Sequence, residues 1–134
     1  MKIGAIIQAR YGSTRLPGKV LMHLPSQSKT SVLKHIINRV DASTLVNNVC
    51  IATSTDKSDD ALEAAFSDII FRGDIDNVLS RFYHAACSLR LDVIIRLTGD
   101  NPCIDVSALD DVIRRHVEKN CDSPCSEKCN FHIK

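Results

Sequence analysis

The first 40 residues of this 134-residue chain contain no aspartate or glutamate, although they contain seven lysines and arginines. The formal net charge of the whole chain is only +1, so the other 94 residues together carry −6. This asymmetry indicates an anion-binding site built by the amino-terminal segment. Tryptophan is absent and only 4% of the residues are aromatic. Domains that bind nucleic acid are more often basic throughout and richer in aromatic residues, so we expect no nucleic-acid partner.

Long apolar segments are also lacking. The apolar run after Lys2 is about five residues long and ends at Gln8, with no cleavage-type region behind it, which is unlike a secretory signal. No stretch approaches the ~20 apolar residues that cross a bilayer. We therefore expect a cytoplasmic protein that does not enter a membrane. In that compartment the six cysteines are expected to be free thiols or metal ligands and not a disulfide framework.

Apolar runs alternate with amphipathic segments four times along the chain. Short β-branched or apolar runs predict strands at residues 3–7, 48–54, 68–71 and 92–97. The length fits one domain. Such alternation predicts an α/β fold, a Rossmann-like parallel sheet with helices on both faces. Because ligands bind parallel sheets beyond the carboxyl ends of the strands, we expect the turns that follow the four strands to converge on one ligand.

Four helices are predicted between and after these strands. One follows Thr30 or Ser31 as its cap, one spans about residues 58–66, and the last spans 106–119 with Asp105 as its cap. The third is expected to start from a cap at Gly73–Asp74. Its predicted core stripe consists of Ile75, Val78, Leu79, Phe82, Tyr83 and Ala86, and its predicted polar face of Asn77, Arg81, His84 and Ser88.

A basic loop, QARYGSTRLPGKVL at residues 8–21, follows the first predicted strand. It contains three cations, two glycines and one proline but no acid. Glycine permits positive φ and close backbone approach, successive amides can form an anion-binding concavity, and Arg and Lys supply donors that phosphate oxygens accept. The loop therefore predicts a polyphosphate site. The alternative is a solvated basic turn, which the position directly after a strand makes less favourable.

Two common phosphate-binding motifs do not fit the basic loop. A P-loop has four residues between its first glycine and Gly-Lys, followed by Ser or Thr, whereas here five residues separate Gly12 from Gly18 and Val20 follows Lys19. The dinucleotide fingerprint needs three glycines in the order GxGxxG, and the loop has two.

The basic loop instead resembles the amino-terminal signature of sugar cytidylyltransferases, which include the ketodeoxyoctonate and acylneuraminate enzymes and an SpsF-like spore coat polysaccharide branch. Residues 71–86, FRGDIDNVLSRFYHAA, and residues 96–105, RLTGDNPCID, resemble the next two motifs of the SpsF-like branch in the same order. The resemblance covers about residues 1–119. It implies a nucleotide-binding α/β domain of the nucleotide-diphospho-sugar transferase type, followed by a cysteine-rich tail, residues 120–134, that departs from the family pattern.

The resemblance also implies an activity. Sugar cytidylyltransferases react CTP with a sugar or sugar acid to give a CMP-sugar and pyrophosphate for surface or spore coat polysaccharide, with Mg²⁺ as cofactor. Arg10 and Lys19 are the implied catalytic residues and Asp100 the implied metal ligand. The implied nucleotide-binding residues are Arg10, Gly12, Ser13, Arg15, Lys19 and Arg81.

Other roles stay open for several of these residues. Asp100 precedes Asn101-Pro102 and can close an Asx turn. Arg81 can be a solvated surface residue. Position 98 is Thr, whereas the ketodeoxyoctonate enzymes carry Gln there, so base contacts made by that Gln do not transfer.

Related full-length enzymes continue for about another hundred residues, which bring a further metal carboxylate and much of the sugar pocket. A truncated, non-catalytic nucleotide-binding module is therefore the alternative function, and a homodimer is possible. In the tail, Cys121, Cys125, Cys129 and His132 have spacings that allow a Cys₃His zinc site arithmetically. Pro124 prevents one straight helix from presenting all four, and we expect an irregular tail without metal.

Overall fold

The computed structural model of the chain describes residues 1–12, 14–119 and 132–133. Strands and helices alternate as predicted. Their bounds are β1 Ile3–Gln8, α1 Val32–Asp41, β2 Asn48–Ser54, α2 Asp60–Phe66, β3 Ile70–Gly73, α3 Val78–Leu89, β4 Val93–Thr98, α4 Val106–Lys119 and β5 His132–Ile133. Three short 3-10 turns lie at Lys19–Leu21, Lys57–Asp59 and Ser67–Ile69.

The sheet has the strand order β3-β2-β1-β4-β5. The first four strands are parallel, and β5 pairs antiparallel with β4. The chain leaves β1 toward β2 and β3 on one side, and β4 then lies on the other side of β1. The strand order therefore reverses between β1 and β4, which is where open parallel sheets form a crevice for ligands.

Helices cover both faces of the sheet, as predicted. On one face, residues of α1, α2 and α4 share one core with alternate residues of β1, and this core contains Ala5, Ile7, Ile36, Leu62 and Leu109. On the other face, α3 packs alone against a smaller core around Ile6, Cys50, Ala52 and Phe82. The alternation along β1 follows from the period of two in a strand. No helix in the described part of the chain is long and apolar enough to span a bilayer.

Capping residues place two helices where the sequence predicts them. The hydroxyl of Ser31 accepts a hydrogen bond from the amide of Lys34, which starts α1. The carboxylate of Asp105 accepts hydrogen bonds from the amides of Ser107 and Ala108 at the start of α4. Side chains that accept the first free amides of a helix fix its beginning. The bounds of α4 agree with the prediction.

Helix α3 differs from the prediction in its start and in its buried face. It begins after Asn77, whose side chain accepts from the Ser80 amide, while Asp74 closes a separate turn by accepting from the amides of Asp76 and Asn77. The predicted core residues Leu79 and Tyr83 are 70% and 63% exposed.

The buried residues of α3 are Arg81, Phe82, Ala85 and Ala86, of which Phe82 and Ala86 belong to the predicted core stripe. Placing Arg81 on a solvated face is wrong, because its side chain is only 1% exposed. Ala85 and Ala86 let the helix lie close to the sheet, and its buried face is rotated away from Leu79 and Tyr83 toward Arg81 and Ala85. Hydrophobicity therefore identifies part of the buried face of this helix, namely Phe82 and Ala86, but not the whole of it.

Candidate active site

A cleft of about 330 Å³ opens at the carboxyl edge of the sheet, where the strand order reverses. Gly99 lets β1 and β4 approach there, because its amide donates to the carbonyl of Gln8 at 2.8 Å and a Cβ at position 99 would lie 2.9 Å from that carbonyl oxygen. The cleft is lined by Gln8, Ala9, Arg10, Lys19, Val20, Thr98, Gly99 and Asp100.

The basic loop reaches this cleft through a fixed turn. The Gly18 amide donates to the Tyr11 carbonyl at 2.8 Å, and Gly18 has a φ of 73°, which favours glycine. The turn leads into the short 3-10 segment that contains Lys19 and the buried Val20. Burial of Val20 thus holds the neighbouring Lys19 at the mouth of the cleft. Gly12 is not in the positive-φ region, so at position 12 the backbone does not require glycine.

Lys19 and Asp100 face each other across the mouth of the cleft. The Lys19 ammonium lies 3.7 Å from a carboxylate oxygen of Asp100, and the two side chains are 39% and 57% exposed. An exposed ion pair of this length contributes little to stability. Both groups are therefore accessible to a ligand that carries phosphates or brings a cation.

Arg10 also lines the cleft, and a buried acid lies behind it. The Arg10 Nε atom is 3.8 Å from a carboxylate oxygen of Asp59, a residue that is 0% exposed. Asp59 accepts a hydrogen bond from the Tyr11 amide at 2.7 Å and further bonds from the amide and hydroxyl of Ser54. Burial by itself raises the pKa of the Asp59 carboxyl, but these hydrogen bonds outweigh it and the pKa is lowered below its ordinary value. Asp59 is therefore a carboxylate at neutral pH.

Arg81 lies in the core below the end of β3, next to Gly73. A Cβ on residue 73 would meet the Arg81 Cγ atom at 2.9 Å, so this glycine makes room for the arginine. The Nε and Nη1 atoms of Arg81 are buried and have no hydrogen-bond partner in the part of the chain that the structure describes, and the same holds for the Nε atom of Arg10. Burial and then the charge of Arg10 lower the pKa of Arg81. Unsatisfied buried donors beside a cleft are suited to an acceptor supplied by a ligand.

Three of the predicted site residues, Arg10, Lys19 and Asp100, come together in the cleft. Gly12 and Arg15 lie on the exposed part of the loop and do not line it. Ser13, together with the predicted tail cysteines Cys121, Cys125 and Cys129, lies outside the described residues. Within the described ranges no group of three or more His, Cys, Asp or Glu side chains is placed to hold a metal. Asp100 is therefore a single carboxylate at the mouth of the cleft and not part of a cluster of such groups in the described ranges.

Two residues of the site, Gln8 and Asp59, are not among those predicted from the sequence. Gln8 lines the cleft and accepts from the Arg96 Nη2 atom at 3.2 Å, and the Arg96 guanidinium lies 5.3 Å from the centre of the Phe82 ring. Asp59 lies in the connection between β2 and α2, and its carboxylate accepts a hydrogen bond from the amide of Tyr11 in the basic loop. Gln8 is the last residue of β1, and a polar residue at the carboxyl end of a predicted strand is a sequence signal for a place in the site. Nothing in the local sequence distinguishes Asp59 from its neighbours Asp56 and Asp60.

Comparison with known proteins finds a matching family model and individual relatives. The family model described as cytidylyltransferase matches residues 4–131. The spore coat polysaccharide biosynthesis protein SpsF of Bacillus subtilis is 44% identical over 126 residues, which cover 87% of this chain and 50% of that protein. A 3-deoxy-manno-octulosonate cytidylyltransferase of Anaeromyxobacter dehalogenans is 34% identical over 113 residues, covering 83% of this chain and 46% of that enzyme.

Solved structures with the same fold include a cytidylyltransferase from Leptospira borgpetersenii, with a TM-score of 0.86, 31% identity, and coverage of 99% of this chain and 60% of that one. The CTP complex of a CMP:2-keto-3-deoxy-manno-octonic acid synthetase gives a TM-score of 0.75 at 25% identity, over 90% of this chain and 49% of that one. The chain thus spans about half the length of the curated relatives it matches. A division of the chain after residue 119 stays a prediction.

Proposed function

The chain belongs to the cytidylyltransferase family, and on that basis we propose that it forms the nucleotide-binding part of an enzyme that activates a sugar with CTP for surface polysaccharide synthesis. A sugar oxygen attacks the α-phosphorus of CTP, the bond from that phosphorus to the bridging oxygen of the β-phosphate breaks, and pyrophosphate leaves. The observation that carries this proposal is the convergence of Arg10, Lys19 and Asp100 on one cleft at the reversal of strand order.

The cations of the cleft suit a triphosphate. Lys19 is a compact charge held at the mouth, and the Arg10 guanidinium offers a fork of donors on the β1 side. Transfer of a nucleotidyl group needs alignment of the reactants and neutralisation of the charge that develops on the leaving pyrophosphate. We assign both tasks to Arg10 and Lys19, and we assign Ser13 and the exposed Gly12 and Arg15 to outer contacts with the nucleotide.

Arg81 is proposed to serve the same ligand from below. Its buried and unpaired N–H groups lie close enough to Arg10 and Asp59 for electrostatic interaction. An acceptor oxygen or nitrogen of the nucleotide would satisfy donors that the protein itself leaves without partners.

Asp100 is proposed to hold Mg²⁺ together with phosphate oxygens. Magnesium prefers oxygen ligands and is commonly bound by one or two carboxylates plus substrate phosphates and water. A single exposed carboxylate 3.7 Å from Lys19 fits that donor set. When bound, the ion would neutralise charge on the phosphates. In the absence of nucleotide, the Lys19 ammonium partly balances the charge of Asp100.

A non-catalytic nucleotide-binding module is the second candidate function. It is favoured by the presence of only one carboxylate among the described residues that line the cleft. Both functions require CTP to bind at this cleft. We further propose a cytoplasmic location, where CTP is available, and leave a homodimer as a possibility that sedimentation can test.

The test of the proposed site is titration with CTP in the presence and absence of Mg²⁺. Lys19→Ala should weaken CTP binding by about 1 to 3 kcal/mol, the worth of a charge-assisted hydrogen bond. Asp100→Asn should remove most of the enhancement by Mg²⁺ and leave binding without metal unchanged. Lys34→Ala is the matched control, since this exposed lysine of α1 belongs to the same basic amino-terminal segment but does not line the cleft. Equal affinities for wild type, Lys19→Ala and Lys34→Ala would contradict the proposed site.

A further inference from the structure

The orientation of Arg10 in the cleft depends on another side chain, that of Asp59. Lys19 is held through its neighbour Val20, which is buried in the core. The Arg10 side chain is 38% exposed, and its charged contact within the described part of the chain is the 3.8 Å ion pair with Asp59. A long, partly exposed arginine without such a contact samples many rotamers, which must be restricted when a ligand binds.

Asp59 contacts the backbone of the basic loop as well as the arginine. The carboxylate oxygen that does not face Arg10 accepts the Tyr11 amide at 2.7 Å. One buried carboxylate therefore contacts two consecutive residues, Arg10 through its side chain and Tyr11 through its backbone. The loop is fixed at the point where it leaves β1 and enters the cleft.

The connection that carries Asp59 is itself held from β3. Arg72 donates to the carbonyls of Ser54 and Asp56, at 3.0 and 2.8 Å. Ser54 in turn donates to Asp59 through its amide and its hydroxyl. Groups held by a second layer of hydrogen bonds keep their geometry, so Asp59 is a fixed point against which the basic loop is set.

We propose that Asp59 is a positioning residue that pre-orients Arg10 toward the phosphates of the bound nucleotide. This inference rests on the proposed function, because it assumes that CTP occupies the cleft. Asp59 itself does not touch the nucleotide. Its charge acts through Arg10, so its contribution to binding should disappear when Arg10 is absent.

The decisive experiment is a double-mutant cycle between Asp59→Asn and Arg10→Ala, read as CTP affinity in the presence of Mg²⁺. Asn keeps an oxygen that can accept from the Tyr11 amide but removes the charge that faces Arg10. We expect Asp59→Asn to weaken CTP binding about tenfold in the wild-type background, the lower end for a charge-assisted contact. In the Arg10→Ala background the same substitution should change affinity by less than about twofold.

Asp110→Asn provides a matched control. Asp110 is also a buried carboxylate, and it accepts hydrogen bonds from the Ser43 hydroxyl and from the amide and hydroxyl of Thr44. It lies on α4 and does not line the cleft. Its substitution should therefore lower stability and leave CTP affinity unchanged. If the role of Asp59 were purely structural, Asp59→Asn would likewise lower stability and leave CTP affinity unchanged.

The outcomes separate the two proposals. If wild type binds CTP through Lys19 but Asp59→Asn weakens binding equally with and without Arg10, the positioning role is wrong and the site stands. If wild type does not bind CTP, both proposals fall. Side-chain ¹⁵N relaxation of the Arg10 Nε–H group in nucleotide-free wild type gives a measurement that needs no variant. It should show a restricted side chain compared with the exposed Arg15, and equal mobility of the two would overturn the proposal.

Discussion

The buried Arg81 side chain destabilises the folded protein, because some of its hydrogen-bond donors have no acceptor among the described residues. Its side chain is 1% exposed, and two of its nitrogen atoms lack hydrogen-bond partners. An unsatisfied buried donor costs about 1–3 kcal/mol. Strained or unsatisfied groups tend to be retained where a ligand uses them, and Arg81 interacts electrostatically with the cleft residue Arg10 although it does not itself line the cleft.

Arg81→Met is expected to separate stability from binding. Methionine is of similar length and has no donors to leave unpaired, so the free energy of unfolding should rise or fall by less than about 1 kcal/mol. CTP affinity should decrease, because the donors available to the nucleotide are lost. Denaturant unfolding and nucleotide titration of the same preparation measure the two effects.

Arg72→Met is the matched control for this substitution. Arg72 donates to two backbone carbonyls and to the carboxylates of Asp60 and Glu63, so its removal should lower stability. A large loss of stability in Arg81→Met, with no loss of CTP affinity, would show that Arg81 is a structural residue and not part of the nucleotide site.

Strands β1 and β4 form the seam on which the cleft depends. Their register pairs Gln8 with Thr98, and the chain turns away at Gly99 immediately beyond this pair. A Cβ at position 99 would lie 2.9 Å from the Gln8 carbonyl oxygen and 3.0 Å from the Ala9 Cβ atom. Backbone atoms cannot move aside as the end of a side chain can, so the two strands would have to separate.

Gly99→Ala should therefore destabilise the protein and widen the cleft. We expect a loss of about 1–3 kcal/mol in the free energy of unfolding, typical of overpacking at a close contact, together with weaker CTP binding. Gly12→Ala is the control for stability, because among the described residues a Cβ at position 12 would have the Ser58 hydroxyl, at the ordinary contact distance of 3.5 Å, as its one near neighbour. Urea unfolding of both variants measures the difference, and similar stabilities would show that the seam has room to adjust.

The elements of this fold are largely predictable from local signals, and the site is predictable where it follows from them. Helix α4 has a capping aspartate and a regular apolar period, and its predicted bounds agree with the structure. Because parallel strands share one edge, the same signals bring Arg10, Lys19 and Asp100 together. The buried face of α3 is predictable only in part, because Arg81 and Ala85 lie on it where the apolar period favours Leu79 and Tyr83. The role of Asp59 depends on its hydrogen bond with the Tyr11 amide, 48 residues earlier in the chain, and no local sequence pattern indicates such a contact.

The charge asymmetry of the sequence corresponds to different origins of the cations and the acids at the cleft. The acid-free segment of residues 1–40 contributes the cations of the cleft, and the later segments contribute the acids that surround or fix them. Asp59 balances Arg10 from one side, and Asp100 faces Lys19 from the other. Among the described residues that line the cleft there are two cations and one carboxylate, and the second acid, Asp59, is buried behind them.

The acids of the last described helix do not add to the proposed metal site. Asp105 caps α4, Asp110 bonds Ser43 and Thr44, and Asp111 pairs with Arg114. Asp100 is thus the one carboxylate of the described residues that lines the cleft. Catalysts of phosphoryl and nucleotidyl transfer commonly neutralise the leaving group with metal ions held by more than one oxygen ligand.

We therefore expect the 134-residue chain on its own to bind CTP with Mg²⁺ weakly but to release no pyrophosphate above background with any sugar acceptor. Binding needs the cations of the cleft, which are present, whereas turnover also needs a complete metal site and a wall that holds the sugar. A coupled pyrophosphate assay with ketodeoxyoctonate, neuraminate-type sugars and neutral amino sugars measures turnover, with Lys19→Ala as control. Sustained release that depends on Lys19 would show that the chain is catalytically complete, through a second subunit or otherwise, and that the non-catalytic module is the wrong function.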